Sequence, residues 1–163
     1  MVVHPIEPVY DENSKVLILG SFPSVKSREE MFFYGHPQNR FWKVVAAVME
    51  RSVPVTVEEK RELLLSSGIA LWDVIASCEI TGSADSSIRN VVPNDIRRIL
   101  DCANIQRIFV NGKTSEKYYK KFLLDTTHRE AVCLPSTSPA NAAWSVDRLV
   151  SQWSTIRYWD QHL

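Results

Sequence analysis

Short apolar runs alternate along this chain with segments in which apolar residues recur every three or four positions. Strands are predicted by four of the runs, which cover residues 16–20, 68–75, 105–110 and 131–134. These runs contain few polar residues, which is typical of strands that are buried on both faces of a parallel sheet.

Helices are predicted between and after these runs. The apolar spacing and the capping residues indicate helices over residues 40–50, 56–65, 94–100, 114–124 and 146–156. Thr56 and Glu59 have the spacing of a capping box, and either Thr114 or Ser115 is expected to cap the fourth helix. Because strands alternate with helices, we expect an α/β fold, a three-layer α/β/α sandwich around a short, mainly parallel four-stranded sheet.

The composition is that of an ordinary globular protein. With 163 residues, of which 45% are hydrophobic and 23% charged, the chain can bury the core of one domain. The formal net charge is zero, so DNA binding would require a local patch of positive charge. The start does not resemble a signal peptide, and no apolar stretch approaches the roughly 20 residues that span a bilayer. We therefore expect a cytoplasmic protein that does not enter a membrane.

The cysteines and histidines do not suggest a metal site. Cys78, Cys102 and Cys133 are far apart and belong to no CxxC pair or Cys/His cluster. We expect them to be reduced thiols, and we expect no metal, no iron–sulfur cluster and no other cofactor. The histidines at positions 4, 128 and 162 also lack the spacing of metal ligands, and no role is expected for them.

A polar turn follows the first predicted strand. In parallel α/β sheets, ligands bind beyond the carboxyl ends of the strands. The first strand ends at Gly20 and leads into Ser21, Phe22, Pro23 and Ser24. Such a turn can present backbone N–H groups to a phosphate or a base, or it can simply join a strand to a helix. It matches neither a GxSxG nucleophile elbow nor a P-loop.

Two asparagines are candidates for binding a water or a base. The segment YGHPQNRFW, from Tyr34 to Trp42, contains Asn39, which could hold a water by its carboxamide or cap the next helix. Asn111 ends the third strand, where an apolar residue would be usual. Its carboxamide could pair a donor and an acceptor with the edge of uracil or hypoxanthine, or it could form a turn with Gly112.

The loop after the fourth strand, PSTSPANA, is rich in hydroxyl groups. Its candidate residues are Ser136, Thr137, Ser138, Pro139 and Asn141. The loop could press on a DNA phosphate and insert small side chains into the base stack, or it could be an ordinary surface loop. Lys113, with Lys117 and Lys121 at i, i+4 spacing, could contact a DNA backbone or form a solvated helix face.

Taken in order, the segments GSFPS, YGHPQNRFW, NGK and LPSTSPANA resemble the uracil-DNA glycosylase superfamily, from about residue 16 to residue 153. YGHPQNRFWKVV is similar to a segment of the mismatch-specific uracil-DNA glycosylases. Those enzymes carry a GINPG-like first motif whose Asn positions the hydrolytic water, and Phe22 is at the matching position here. The chain most resembles the hypoxanthine-DNA glycosylases, the sixth family of the superfamily. The resemblance implies one glycosylase domain over residues 1–163.

The resemblance also implies roles for individual residues. Asn39 matches the catalytic Asn of the sixth family, Tyr34 matches the aromatic residue that stacks on the flipped base, and Asn111 matches the base-reading position. The other implied substrate-binding residues are Gly20, Ser21 and Phe22. The implied DNA contacts are Pro23, Ser24, Lys113, Ser136, Thr137, Ser138, Pro139 and Asn141. Asp85, in the SADSSI segment, is expected either near the site or in a helix cap.

The implied function is DNA repair. We expect a monofunctional, monomeric glycosylase that flips a deaminated base, with hypoxanthine favoured, out of DNA and hydrolyses its N-glycosidic bond, leaving an abasic site. One alternative is a uracil-DNA glycosylase of the same fold, because uracil and hypoxanthine present the same donor–acceptor pair. Another is a non-catalytic nucleic-acid-binding module, which the Phe22 difference would favour. A third is an unrelated domain that binds a small phosphorylated ligand.

Overall fold

Two sheets and seven α-helices make up residues 1–161, the part of the chain that the computed structural model describes. The strands are β1 Val2–Val3, β2 Val16–Gly20, β3 Ile69–Asp73, β4 Ile75–Glu79, β5 Arg89–Pro93, β6 Arg107–Asn111 and β7 Ala131–Leu134. The helices are α1 Val25–Glu30, α2 Phe41–Val48, α3 Val57–Ser66, α4 Arg97–Leu100, α5 Lys113–Phe122, α6 Leu124–Thr127 and α7 Val146–Trp153. Short 3-10 helices lie at Asp85–Ser87, Ser154–Ile156 and Trp159–Gln161.

The central sheet has four parallel strands in the order β3-β2-β6-β7. Every residue of β2 and β3 is buried, so both faces of the sheet are covered. Helix α5 packs against β6 and β7, α3 contacts β3, and α2 packs against α7. The predicted α/β fold with a four-stranded parallel sheet is confirmed.

The apolar run at residues 68–75 is not one strand, as the sequence predicts, but the junction of two. Strand β3 ends at Asp73, and the Val74 N–H donates to the Gly20 carbonyl (2.8 Å). Strand β4 then leaves the central sheet and pairs antiparallel with β1 and β5. An apolar run does not show where a strand changes partners, so this second sheet escapes prediction. Its consequence is that β1 brings His4 beside the end of β3.

Most predicted helices are present, with limits that differ by at most three residues. The capping box at the start of α3 is confirmed, since the Thr56 hydroxyl accepts from the Glu59 N–H (3.1 Å) and the Glu59 carboxylate accepts from the Thr56 N–H (2.9 Å). The helix predicted over residues 94–100 reduces to α4. Among residues 1–161, no helix combines the length and apolar character that crossing a bilayer requires.

The predicted cap of α5 is wrong. Its N-cap residue is Gly112, with φ of 92°, a value that glycine adopts without strain. Ser115 lies inside the helix, where its hydroxyl donates back to the carbonyl of Asn111 (2.5 Å). This tight turn from β6 into α5 holds Asn111 at the edge of the sheet.

Candidate active site

A pocket of about 370 Å³ opens beyond the carboxyl ends of the parallel strands. This volume lies in the range of ligand pockets, which starts at roughly 300 Å³. The predicted site residues that line it are Gly20, Ser21, Phe22, Pro23, Ser24, Tyr34, Asn39, Asn111, Ser136, Thr137, Ser138 and Pro139. Segments far apart in sequence therefore meet where the sheet topology predicts a ligand crevice.

Thr137 connects the two candidate asparagines. Its hydroxyl donates to Asn39 Oδ1 (2.9 Å) and accepts from Asn111 Nδ2 (3.0 Å). Its backbone N–H donates to Asn111 Oδ1 (3.1 Å). Thr137 is fully buried, so these bonds fix the wall of the pocket rather than its solvent-facing surface. The two amides share one cleft, and one threonine sets the orientation of both.

Asn39 presents a hydrogen-bond donor to the pocket. Its Oδ1 accepts from the Phe41 N–H (2.9 Å) as well as from the Thr137 hydroxyl, so both acceptor positions of this oxygen are filled. The backbone N–H of Phe41 also settles which amide atom is the oxygen. Nδ2 has no partner among the described residues and is not sealed from solvent. The N-cap residue of α2 is Arg40, so Asn39 is not the cap; it accepts the first N–H of the helix from one residue earlier and keeps a donor for a ligand.

Asn111 is largely committed to its neighbours. Its Nδ2 donates to Thr137 and to the Tyr34 hydroxyl (3.1 Å), which uses both amide hydrogens. Its Oδ1 keeps one acceptor position beside the bond from Thr137. The expected paired donor–acceptor contact with a base edge thus has no free donor here. The contacts make Asn111 a brace between β6, Tyr34 and the loop after β7.

Tyr34 lines the pocket, and its hydroxyl hydrogen has no acceptor among residues 1–161. Its ring stacks on Phe41, with centroids 4.0 Å apart and an interplanar angle of 15°. Its backbone has a φ of 53°, which non-glycine residues rarely adopt. Burial raises the pKa of the Tyr34 hydroxyl, the Asp73 carboxylate adds to this, and the bond from Asn111 acts in the opposite direction. Tyr34 therefore stays protonated, and its O–H is available as a donor.

Two acidic residues also line the pocket. Asp73 ends β3, is 4% exposed, and pairs with His4. Loss of solvent around the carboxyl group raises the pKa of Asp85, and repulsion from Asp73 adds to the effect, while hydrogen bonds with Thr114 and Ser21 oppose it. Of the two positions expected for Asp85, near the site or in a helix cap, the structure shows the first. Asp73 and His4 are missed by sequence reasoning, because they are separated by 69 positions and match no motif.

Arg40 is a third residue that sequence reasoning misses. Its guanidinium donates to the carbonyl oxygens of Thr137 (3.3 Å), Ser138 (2.8 Å), Asn141 (3.0 Å) and Trp144. One side chain at the start of α2 therefore holds the whole loop after β7. Because Asn39 is the preceding residue, the loop and the Asn39 amide share one anchor.

Replacing Arg40 with lysine should loosen this loop without changing its charge. An ammonium group cannot reach four carbonyl oxygens at once, so we expect the free energy of unfolding to fall by about 2 kcal/mol. Urea denaturation measures the change. Arg107→Lys is the matched control, because among residues 1–161 this exposed arginine donates to one carbonyl, that of the neighbouring Gln106, and lies 5.9 Å from the Trp159 ring centroid. Equal stability of the two variants would contradict the anchoring role of Arg40.

The remaining predicted DNA contacts lie outside the pocket lining. Lys113 is exposed at the first turn of α5. Asn141 is half-buried and shapes the loop, because its Nδ2 donates to the Ser136 carbonyl (3.0 Å). Within residues 1–161, no group of three or more His, Cys, Asp or Glu side chains is arranged to hold a metal ion.

Comparison with known proteins identifies the family. The sequence profile of the Uracil DNA glycosylase superfamily matches residues 7–161. The chain belongs to this superfamily. The match includes every segment that lines the pocket, so the resemblance first seen in four short motifs is confirmed across most of the chain.

Relatives within the superfamily cover nearly the whole chain. A protein of Methanosarcina acetivorans named "Hypoxanthine DNA glycosylase" is 34% identical over 158 residues, which is 96% of this chain and 98% of the relative. A protein of the same name from Methanosarcina barkeri is 33% identical over 136 residues, 82% of this chain and 85% of the relative. A solution NMR structure of a protein from M. acetivorans superposes with a TM-score of 0.82 at 31% identity, covering 98% of this chain and 99% of that one.

This member of the superfamily has no side-chain amide in its first motif. Phe22 lies there, with its ring at 5.9 Å and edge-on to His4, and the Arg28 guanidinium lies 5.6 Å from its centroid. An aromatic ring cannot orient a water by hydrogen bonds. Among the described residues that line the pocket, the side-chain amide that keeps a donor without a partner is that of Asn39.

Proposed function

We propose that this glycosylase excises hypoxanthine from DNA and leaves an abasic site. The observation that carries the proposal is the pair of free donors, Asn39 Nδ2 and the Tyr34 hydroxyl, in one pocket at the carboxyl edge of the sheet. The names of the two Methanosarcina relatives support the choice of hypoxanthine. The chain is proposed to act as a cytoplasmic monomer, without a metal or an iron–sulfur cluster.

The flipped base is proposed to lie at the hydroxyl end of Tyr34 rather than on the face of its ring, because the hydroxyl hydrogen lies in the plane of the ring. Phe41 covers one face of this ring and holds it in place, and Tyr34 lines the pocket. The base must leave the duplex to reach it, at a cost of a few kcal/mol that is smallest for a mismatched base. The Tyr34 hydroxyl can donate to a carbonyl oxygen or a ring nitrogen of the base. Hypoxanthine offers both kinds of acceptor beside its ring N–H.

Hydrolysis then requires a water at C1′ of the sugar. The Asn39 donor can hold that water through its oxygen, and its contribution is mainly one of positioning, since an amide is a poor base. Donors fixed in the wall can also stabilise charge that develops on the departing base. No lysine lines the pocket among the described residues, which supports direct hydrolysis without a covalent imine intermediate.

The DNA backbone is proposed to meet the rim of the pocket. Ser136, Ser138 and Pro139 lie on the loop after β7, and Pro23 and Ser24 lie on the facing turn after β2. Hydroxyl and backbone N–H groups can bind phosphate oxygens there, and Lys113 can add a cation from the adjacent helix start. This arrangement supports a loop that stabilises the flipped nucleotide from the phosphate side.

A base-release panel tests the proposal. Duplex oligonucleotides that each contain one hypoxanthine, xanthine or uracil are incubated with the enzyme, and alkali then cleaves the strand at any abasic site. We expect hypoxanthine to be released fastest, with no trapped protein–DNA adduct after borohydride reduction. Faster release of uracil would favour the uracil-specific alternative. DNA binding without release of any base would identify a non-catalytic module and overturn the proposal.

A further inference from the structure

His4 and Asp73 form a buried pair at the wall of the pocket. His4 Nε2 lies 2.7 Å from Asp73 Oδ2, and the two side chains are 3% and 5% exposed. Strand β1 fixes His4, because the His4 N–H donates to the Ala76 carbonyl (2.7 Å) on β4. Asp73 is the last residue of β3, where ligands of parallel sheets bind.

The second ring nitrogen determines where the charge lies. His4 Nδ1 accepts a hydrogen bond from the Ile6 N–H (3.2 Å), so Nδ1 carries no proton. The proton of the neutral ring is therefore on Nε2 and points at Asp73. The imidazole donates without being charged, and the negative charge of the carboxylate is not neutralised by its partner.

Packing holds this pair in one geometry. The His4 ring lies against three aromatic rings, those of Phe22, Phe33 and Trp72, with centroids 5.9, 6.2 and 6.4 Å away. A buried carboxylate that has only a neutral partner is costly, and such groups concentrate at functional sites. Asp73 thus has the features of a group that is kept for its charge.

The second carboxylate oxygen of Asp73 is directed towards the pocket. Oδ1 has no hydrogen-bond partner among residues 1–161 and is not sealed from solvent. It converges with the Tyr34 hydroxyl on Gly20, where an added Cβ would collide with Asp73 Oδ1 and lie 2.8 Å from the hydroxyl. A base whose edge reaches the Tyr34 hydroxyl would therefore meet a donor and an anionic acceptor close together.

We propose that the His4–Asp73 pair selects the base: Asp73 Oδ1 accepts the ring N–H of the flipped base, and its charge favours a base that departs neutral over one that departs as an anion. His4 is the positioning residue that orients Asp73. This inference rests on the proposed glycosylase function and adds a reason for its preference among bases.

The chemistry of departure separates purines from uracil. When the bond between C1′ and N9 of a purine breaks, its electron pair goes to the base, and a proton taken from solvent at N7 leaves hypoxanthine neutral. The attacking water gives its oxygen to C1′ and a proton to solvent, so the step balances. Uracil has no equivalent ring nitrogen, and it departs with the electron pair on N1 as an anion. A carboxylate beside the base repels that anion.

Asp73→Asn tests the selection directly. In this variant, His4 still donates to the side-chain oxygen, the amide nitrogen faces the pocket, and the charge is lost. We expect the rate of hypoxanthine release to fall at least tenfold and the uracil-to-hypoxanthine rate ratio to rise at least tenfold. Asp95→Asn, on the exposed pair with Arg97, makes the same change in net charge away from the pocket and should leave the ratio unchanged.

The role of His4 is tested by measuring the uracil-to-hypoxanthine rate ratio in two variants. In His4→Gln the side-chain amide can replace the Nε2–H donor, so selectivity should stay within about threefold of the wild type, whereas His4→Leu should shift the ratio tenfold. In an Asp73→Asn background, neither change should matter, because His4 acts through Asp73. If Asp73→Asn fails to fold, as judged by thermal unfolding, the comparison of the His4 variants decides alone.

The outcomes separate this inference from the function beneath it. A wild-type protein that releases no base overturns the proposed function. An active wild type whose ratio is the same in Asp73→Asn, or in His4→Leu and His4→Gln, overturns only the selective role of the pair. A ratio that moves equally in Asp95→Asn would show an effect of net charge alone and would also overturn it.

Discussion

Replacing Asn39 with alanine is expected to slow the release of hypoxanthine by about 100- to 1,000-fold, the usual effect of removing one preorganised donor from an active site. The reason is that Nδ2 is the free polar atom of a side chain whose oxygen is fully used by Phe41 and Thr137. Single-turnover excision from a hypoxanthine oligonucleotide measures the rate. Binding of the same DNA should change little, because the phosphate-facing loop remains.

The variant Asn39→Asp removes the Nδ2 donor and keeps the side-chain oxygen that accepts from the start of α2. An aspartate keeps the oxygen that accepts from Phe41 and Thr137, so the start of α2 is preserved, but it has no N–H to offer. We expect it to be as inactive as Asn39→Ala and more stable to urea. Asn104→Ala, at an exposed asparagine, is the matched control. Near-normal excision by Asn39→Asp would show that the amide N–H is not what Asn39 contributes, and the proposed mechanism would fail.

Replacing Gly20 with alanine should reduce excision by about 100-fold, since a misplacement of about 1 Å can have such an effect. The added methyl group would collide with Asp73 Oδ1 and lie 2.8 Å from the Tyr34 hydroxyl, and both side chains are held in place by their other contacts. The two groups that meet the base would be pushed apart. Excision kinetics measure the loss of activity, and circular dichroism shows whether the variant is still folded.

The control for Gly20 is Gly35→Ala. The methyl group there would be 2.5 Å from a carboxylate oxygen of Glu30, which is exposed and can turn away. Excision by Gly35→Ala should therefore remain within a few-fold of the wild type. If Gly20→Ala retains wild-type activity, Asp73 and Tyr34 do not need their observed positions, and the arrangement of the pocket has been misinterpreted.

The sequence predicts the location of the site better than its internal bonding. The turn after Gly20, Asn111 and the loop from residue 135 each follow a buried apolar run, and parallel topology places such positions at one edge. Periodicity contains no information about hydrogen bonds across the sheet. The commitment of Asn111 to Tyr34 and Thr137 depends on distances of about 3 Å between segments 26 and 77 positions apart.

The role of His4 is the clearest case of what local pattern cannot show. Its partner lies 69 residues away, and the strand that delivers it, Val2–Val3, is too short to be recognised from its residues. Local sequence also fails to show that the strand ends before Val74, because an apolar residue at a strand junction is indistinguishable from one inside a strand. Both features depend on the second sheet, whose pairing is entirely tertiary.

The first N–H of α2 has a consequence for any attempt to change what the pocket accepts. It forces the Asn39 oxygen towards the main chain and so dictates that the amide hydrogens face outwards. The hydroxyl of Thr137 must then point at Asn39, which in turn fixes the direction of the bond from Asn111. A backbone N–H thus determines which donors and acceptors this wall of the pocket presents. An engineered enzyme for a base with the opposite edge would therefore need a different residue at position 39, because the Phe41 N–H prevents the existing amide from turning over.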